Sequence, residues 1–301
     1  MTRKIKTRKT PEQRQAAMQE LHDSIATQVE ALRDSDAWRD MLDAMSRFHN
    51  YSLGNLLLIL SQRPDATRVA GYGAWRKTHG RQVRKGERGI KIIGGGTVKT
   101  TEVNPRTGEE EETRKTRFFP VTVFDISQTD PVDGEVKDVP ELAQKLTGDD
   151  HNGITEAVTD WLTAQGWTVR IEPITGDANG YTDPNSKTVV IDSAMAPAQI
   201  AKTALHEAAH VVLHADEDPA EYVAHRGTKE TEAESTAYVV AGLLGVDTSD
   251  YSIGYVAGWS NAETDVIKAT AANVKRATTV ILDAITTAPA DTEQLDAELA
   301  A

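Results

Sequence analysis

The 301-residue chain has no cysteine. That excludes a disulfide framework and any metal site built on thiolates. It fits a reducing compartment, and the cytoplasm is the expected location. Long hydrophobic runs are also missing. The longest, Leu56 to Leu60, falls far short of the roughly 20 apolar residues that a membrane helix needs. No membrane partner is therefore expected. The opening stretch, Met1 to Thr10, is basic but lacks the apolar core of a secretory signal, so it is expected to be a disordered basic arm. No internal repeat is visible.

What the chain has in excess is acid, with a formal net charge of −13. The excess is unevenly spread. Residues 1–130 hold 23 Lys and Arg against 17 Asp and Glu, which leaves 10 against 29 in the remainder. The first part is thus +6 and the second −19. A basic half joined to an acidic half points to one nucleic-acid-facing domain and one that is not. The basic charge is densest from Arg68 to Lys91, where eight Lys and Arg stand against the single acid Glu87. Tyr72 and Trp75 are interleaved with Arg68, Arg76, Lys77, Arg81, Arg84, Lys85 and Arg88, and glycines allow close backbone approach. Cations neutralise phosphates and aromatic faces stack unpaired bases, which makes these nine residues the expected single-stranded DNA contacts. The plainer alternative puts the two rings in the core and leaves the charges as a solvated face.

Hydrophobic periodicity divides the chain into an α+β protein of two domains. Helices are expected over Pro11 to Asp34, over Asp36 to Phe48 with Ser35 or Asp36 as cap, and over Ser52 to Gln62 before Pro64. The period then changes to short strands around Val69 and Ile90 to Ile93. An exposed hairpin turning at Asn104 to Gly108 follows, then a strand over Phe118 to Phe124. The acidic stretch 131–150, with Pro131, Pro140 and Gly148, reads as a linker between domains at 11–130 and 151–288, and 289–301 reads as a flexible tail. In the second domain a helix over Ile154 to Gln165 precedes strands at Trp167 to Pro173 and Lys187 to Asp192, which flank a turn at Thr182 to Ser186. Three helices complete it: about Ala198 to His214, about Lys229 to Leu244, and Asn261 to Thr286 with Asn261 as cap.

The first of these three helices carries H-E-x-x-H as His206-Glu207-Ala208-Ala209-His210. Residues four apart share a helix face, so both imidazoles point at one ion while Glu207 reaches a water beside it. Catalytic zinc takes three protein ligands and keeps one open position. The third ligand is sought in the Glu-rich helix that follows. Glu230 and Glu234 lie on its apolar side with Ala233 and Ala237, while Glu232 is expected to point away. Glu230 is favoured as ligand and Glu234 is the alternative, with the other carboxylate orienting a ligand histidine. His214 continues the same helix line and is expected at a cleft edge. His225 reads as a surface or substrate-touching residue, and Tyr238 as an oxyanion donor or a packing ring.

Two resemblances sharpen this reading. Trp38, Phe48, Tyr51-Ser52, Asn55, Gln62, Pro64, Gly71-Tyr72, Trp75, Gly80-Arg81-Gln82-Val83, Lys85-Gly86-Glu87, Gly89-Ile90 and Phe124-Asp125-Ile126-Ser127-Gln128-Thr129 resemble the N-terminal domain of the ArdC family of antirestriction proteins. That resemblance implies binding of single-stranded DNA. Lys202 to His210 and Glu230 to Tyr238 are similar to the zinc peptidases of the ImmA/IrrE type. This second resemblance implies zinc held by His206, His210 and a glutamate of the later helix, with Glu207 as catalytic base. Together they imply an antirestriction protein of a plasmid or phage with a probable metallopeptidase domain. The rival expectations are a DNA-protection module whose zinc is only structural, and a regulatory peptidase that cleaves a repressor.

Overall fold

The computed structural model describes residues 10–103, 110–132, 152–176, 178–218, 225–246 and 263–286. Among them the chain forms two compact units. Residues 10–28 and 57–132 make the first, and residues 29–56 and 152–286 the second. Val29–Leu56, which the sequence places with the DNA-facing half, thus packs within the unit that carries the H-E-x-x-H helix. The expected linker is a strand up to Pro131; beyond Val132 it lies outside the described residues, as do the tail, the turn at Asn104 to Gly108 and Asn261.

The first unit is built on a sheet of order β1-β4-β3, formed by β1 (Val69–Gly71), β3 (Ile90–Val103) and β4 (Glu110–Asp125). All neighbours are antiparallel, and β3 and β4 pair from Ile90↔Val123 to Val103↔Glu110. A second ladder joins β2 (Arg81–Val83) to β5 (Thr129–Pro131), two short strands that no alternating pattern announced. The stretch Tyr72–Lys77, to which the sequence reading gave no element, is a short helix, α4. Its Trp75 forms a buried cluster with Ala70 and Val83.

The motif from Phe124 to Thr129 has a structural explanation. Asp125 caps the 3-10 turn Ile126–Gln128 and accepts from the amides of Ser127, Thr67 and Arg68 at 2.9, 2.8 and 3.0 Å. Burial opposes its charge, but these donors outweigh burial and hold the carboxyl below its usual range. Gln128 answers the Asp125 amide at 2.9 Å and donates to the Arg88 carbonyl at 2.9 Å. One buried polar knot thereby ties β1, β4 and the segment before β3 together.

In the second unit α2 (Ser35–Arg47) is capped by Asp34, one residue earlier than expected; its side chain accepts from the amides of Asp36 and Ala37. Helix α5 (Asn152–Ala164) leads into a sheet of order β6-β8-β7, with β6 (Thr168–Glu172) parallel and β7 (Gly180–Asp183) antiparallel to β8 (Thr188–Asp192). Strand β7 includes Thr182 and Asp183, which the sequence assigned to a turn, and forms an edge of the sheet. Helix α6 (Pro197–His214) packs beside β7 and β8, and α7 (Arg226–Leu243) and α8 (Thr264–Ile285) pack on α6. The buried contact between α6 and α7 is rich in alanine, with Ala204, Ala208 and Ala209 on one helix and Ala233, Ala237 and Ala241 on the other. Small side chains shorten the distance between packed helices. The polar residues at the edge of that contact are brought within reach of one another.

Candidate metal centre and nucleic-acid face

Helix α6 places the two motif histidines one turn apart, with their Nε2 atoms 3.0 Å from each other. Helix α7 adds Glu230, whose Oε2 lies 3.4 Å from His206 Nε2 and 3.6 Å from His210 Nε2. One ligand atom from each of the three residues falls within 4.8 Å of the others. Tetrahedral ligands held at about 2.0–2.1 Å from a zinc ion sit about 3.3 Å apart, so the set fits a divalent cation in spacing as well as in donor chemistry.

The electrostatics point the same way. Burial opposes charge on His206, but the Glu230 and Glu234 carboxylates outweigh it and push the imidazole up to about 9. The two imidazoles in turn hold Glu230 far below the usual carboxylate range. A buried spot that draws a proton this strongly is one where a cation is stabilised.

Glu207 stands beside the cluster and is buried at 4% exposure. Burial pushes its carboxyl up, as suits a group that takes and returns a proton. Thr182 of β7 donates to its Oε2 at 2.7 Å. Gly180, on the same strand, leaves room for it: a Cβ there would stand 2.9 Å from Glu207 Oε1 and 2.8 Å from the Thr203 methyl. Neither β7 residue was singled out from sequence: Thr182 was read as the start of a turn and Gly180 was given to no element.

Of the remaining acids, Glu234 faces His206 from the side away from Glu230. It lies 3.1 Å from His206 Nδ1 and pairs with Lys202. Glu232 does not point away. It is 2% exposed and meets His214 Nε2 at 2.8 Å. His214 is likewise no cleft-edge residue, being 4% exposed and 3.0 Å from His210 through their Nδ1 atoms. Helix packing decided both, since the side of α7 that bears Glu232 faces α8 and α6 and not solvent. The Tyr238 hydroxyl donates to Asp43 of α2 at 2.6 Å and so serves packing, not an oxyanion. Trp38 of α2 donates from Nε1 to Ser235 at 3.1 Å, so this helix is stitched to α7. His225 is exposed at the start of α7.

The basic segment of the first unit divides. Trp75 is fully buried and donates from Nε1 to the Phe124 carbonyl at 2.8 Å, which removes it from any stacking surface. Arg81 donates to the hydroxyl and carbonyl of Thr129 at 2.7 and 3.0 Å. Arg84 is held by Glu87 at 2.9 Å and Asp130 at 3.1 Å. These two cations are occupied in joining β2 to the residues around β5. Tyr72, Arg76, Lys77, Lys85 and Arg88 are exposed and Arg68 is half-buried. Tyr72, Arg84, Lys85 and Phe124 line an open depression of about 620 Å³. Exposed Phe118 and Phe119, opposite Gly95 and Gly94 on β3, add aromatic surface that sequence reading had assigned to a strand alone.

Two family models match in order along the chain. Residues 15–124 match the N-terminal domain of the anti-restriction factor ArdC, and residues 163–251 match the IrrE N-terminal-like domain, a metallopeptidase family. An uncharacterised protein of Bacillus anthracis is 27% identical and aligns with 88% of this chain; the chain spans about half the length of that curated relative. Among solved structures, the metal-free crystal structure of the antirestriction protein ArdC from plasmid R388 is 19% identical, with a TM-score of 0.47 over 77% of this chain and 83% of that one. The Mn(II)-bound structure of the same protein is 18% identical, with a TM-score of 0.43 over 78% and 89%.

Proposed function

We propose that this ArdC-like, two-domain chain is an antirestriction protein of a mobile element, binding single-stranded DNA through its first part and acting as a zinc metallopeptidase through its second. In this reading residues 11–130 face DNA, 131–150 connect, 151–288 form the peptidase and 289–301 are a tail. Val29–Leu56 serve the second unit as well. The observation that carries the proposal is the meeting of His206, His210 and Glu230 within 4.8 Å, with buried Glu207 beside them.

The roles divide by position. His206 and His210, through Nε2, and Glu230, through Oε2, would hold the zinc. The ion would supply Lewis acidity toward a scissile carbonyl. Glu207 accepts a proton from water at Oε1, because Thr182 already occupies Oε2. Its raised affinity for protons lets it hold that proton and pass it to the leaving amine. Glu234 fixes the His206 ring from Nδ1. On the first unit, Tyr72 and Lys85 at the open depression, with Phe118 and Phe119, offer stacking faces and cationic charge to unpaired bases and their phosphates.

Two assays on the full chain test the two halves. Glu207→Gln should keep zinc and abolish cleavage of a mixture of unstructured peptides; undiminished cleavage would contradict the mechanism. Fluorescence anisotropy with a labelled single-stranded oligonucleotide should show affinity falling steeply as salt rises from about 50 to about 200 mM. Salt-independent binding, or none, would contradict the DNA role.

A further inference from the structure

Behind the two motif histidines the hydrogen bonding is unequal. With Nε2 turned toward the ion, each ring carries its proton on Nδ1. For His206 that proton goes to Glu234, a half-buried carboxylate that also pairs with Lys202. For His210 it goes to another imidazole, Nδ1 of His214 at 3.0 Å. His214 must then accept at Nδ1 and carry its own proton on Nε2, which points at Glu232 Oε2, 2.8 Å away. The other oxygen of Glu232 accepts from the Asn273 amide of α8 at 2.8 Å. Only one arrangement of protons satisfies every link: His210 donates to His214, His214 to Glu232, and Asn273 to Glu232.

We infer that His214, Glu232 and Asn273 are positioning residues for His210, a buried relay that fixes the tautomer and aim of this ligand and carries its influence to α8. The inference rests on the metal reading above. His214 and Glu232 are 4% and 2% exposed, so water cannot replace either partner. A carboxylate shut in so deeply is costly unless its charge is answered. The relay sets it two hydrogen bonds behind His210, opposite the Nε2 that would face the ion. Hydrogen-bond partners behind a ligand histidine typically alter metal affinity by roughly 10- to 100-fold. A group serving packing alone would alter stability with and without metal alike.

The test measures zinc affinity of the full chain by competition with a chromophoric chelator, together with the visible spectrum of the Co(II)-loaded protein and the melting temperature of the metal-free form. Glu232→Gln keeps the shape and an acceptor for His214 but removes the charge. It should weaken zinc binding roughly 10- to 100-fold, shift the Co(II) bands and leave the metal-free melting temperature within a few degrees of wild type. Asn273→Ala, at the far end and milder for folding, should weaken zinc binding by a smaller factor in the same direction. Wild-type zinc affinity and Co(II) spectra in both variants would overturn the relay while leaving the metal site standing. A wild-type protein that takes up no metal would overturn both.

Discussion

The two motif-bearing regions of this chain behave in opposite ways on folding. In the second unit the residues named by the H-E-x-x-H pattern converge: the two motif histidines meet each other one turn apart, and the carboxylates of the next helix meet them. In the first unit the residues of the basic aromatic segment scatter: Trp75 enters the core, Arg81 and Arg84 bind their own scaffold, and only part of the set stays at the surface. The difference is one of range. A helix repeats every 3.6 residues, so spacing alone orients His206 and His210. A stretch rich in charge and rings has no such period, and its outcome is set by strands nearly 50 residues away, such as β5 for Arg81.

That contrast is open to attack, first where the effect is largest. Glu207→Gln should cut peptide turnover by roughly 10²–10⁴-fold with zinc retained, read by steady-state cleavage beside metal content. Trp75→Ala should destabilise the first unit by about 3–5 kcal/mol in denaturant unfolding, as expected for a buried aromatic truncation. If Trp75→Ala left stability unchanged and weakened DNA binding, the scattering account would be wrong at its main point. Tyr72→Ala should do the reverse, weakening oligonucleotide binding by about 1–3 kcal/mol at unchanged melting temperature.

The smallest effect is one of pH. His206 lies above its ordinary value in the metal-free protein, so its pairing contributes fully below 6.5 and is lost as pH rises through about 9. Glu230 lies below its ordinary value, so its share is present above 4.5 and lost as pH falls toward its lowered value. Melting curves in chelator should therefore show stability declining from about pH 6.5 to about pH 9 and levelling off above, a decline that metal loading suppresses because the ion takes the place of the proton.

Much of the candidate metal centre was legible before folding was considered. The motif, a following helix and the choice of Glu230 and Glu234 over Glu232 on the facing side all come from helix periodicity. The parts that were not legible are tertiary. Thr182 and Gly180 reach Glu207 from a four-residue edge strand whose second half reads as a turn. Glu232 is buried because α8 covers it, and no local pattern announces which helix lies across a second one. The placement of Val29–Leu56 in the second unit is likewise invisible locally. It rests on pairs such as Trp38 with Ser235 and Asp43 with Tyr238, nearly 200 residues apart.

The central claim is that α6 and α7 together build a metal site. Its most direct test is the zinc content of the purified full chain beside His206→Ala and Glu230→Ala. The account predicts one zinc per wild-type chain and its loss in both variants, each still folded. A folded wild type without metal, or a Glu230→Ala variant that holds zinc as tightly as wild type, would contradict it.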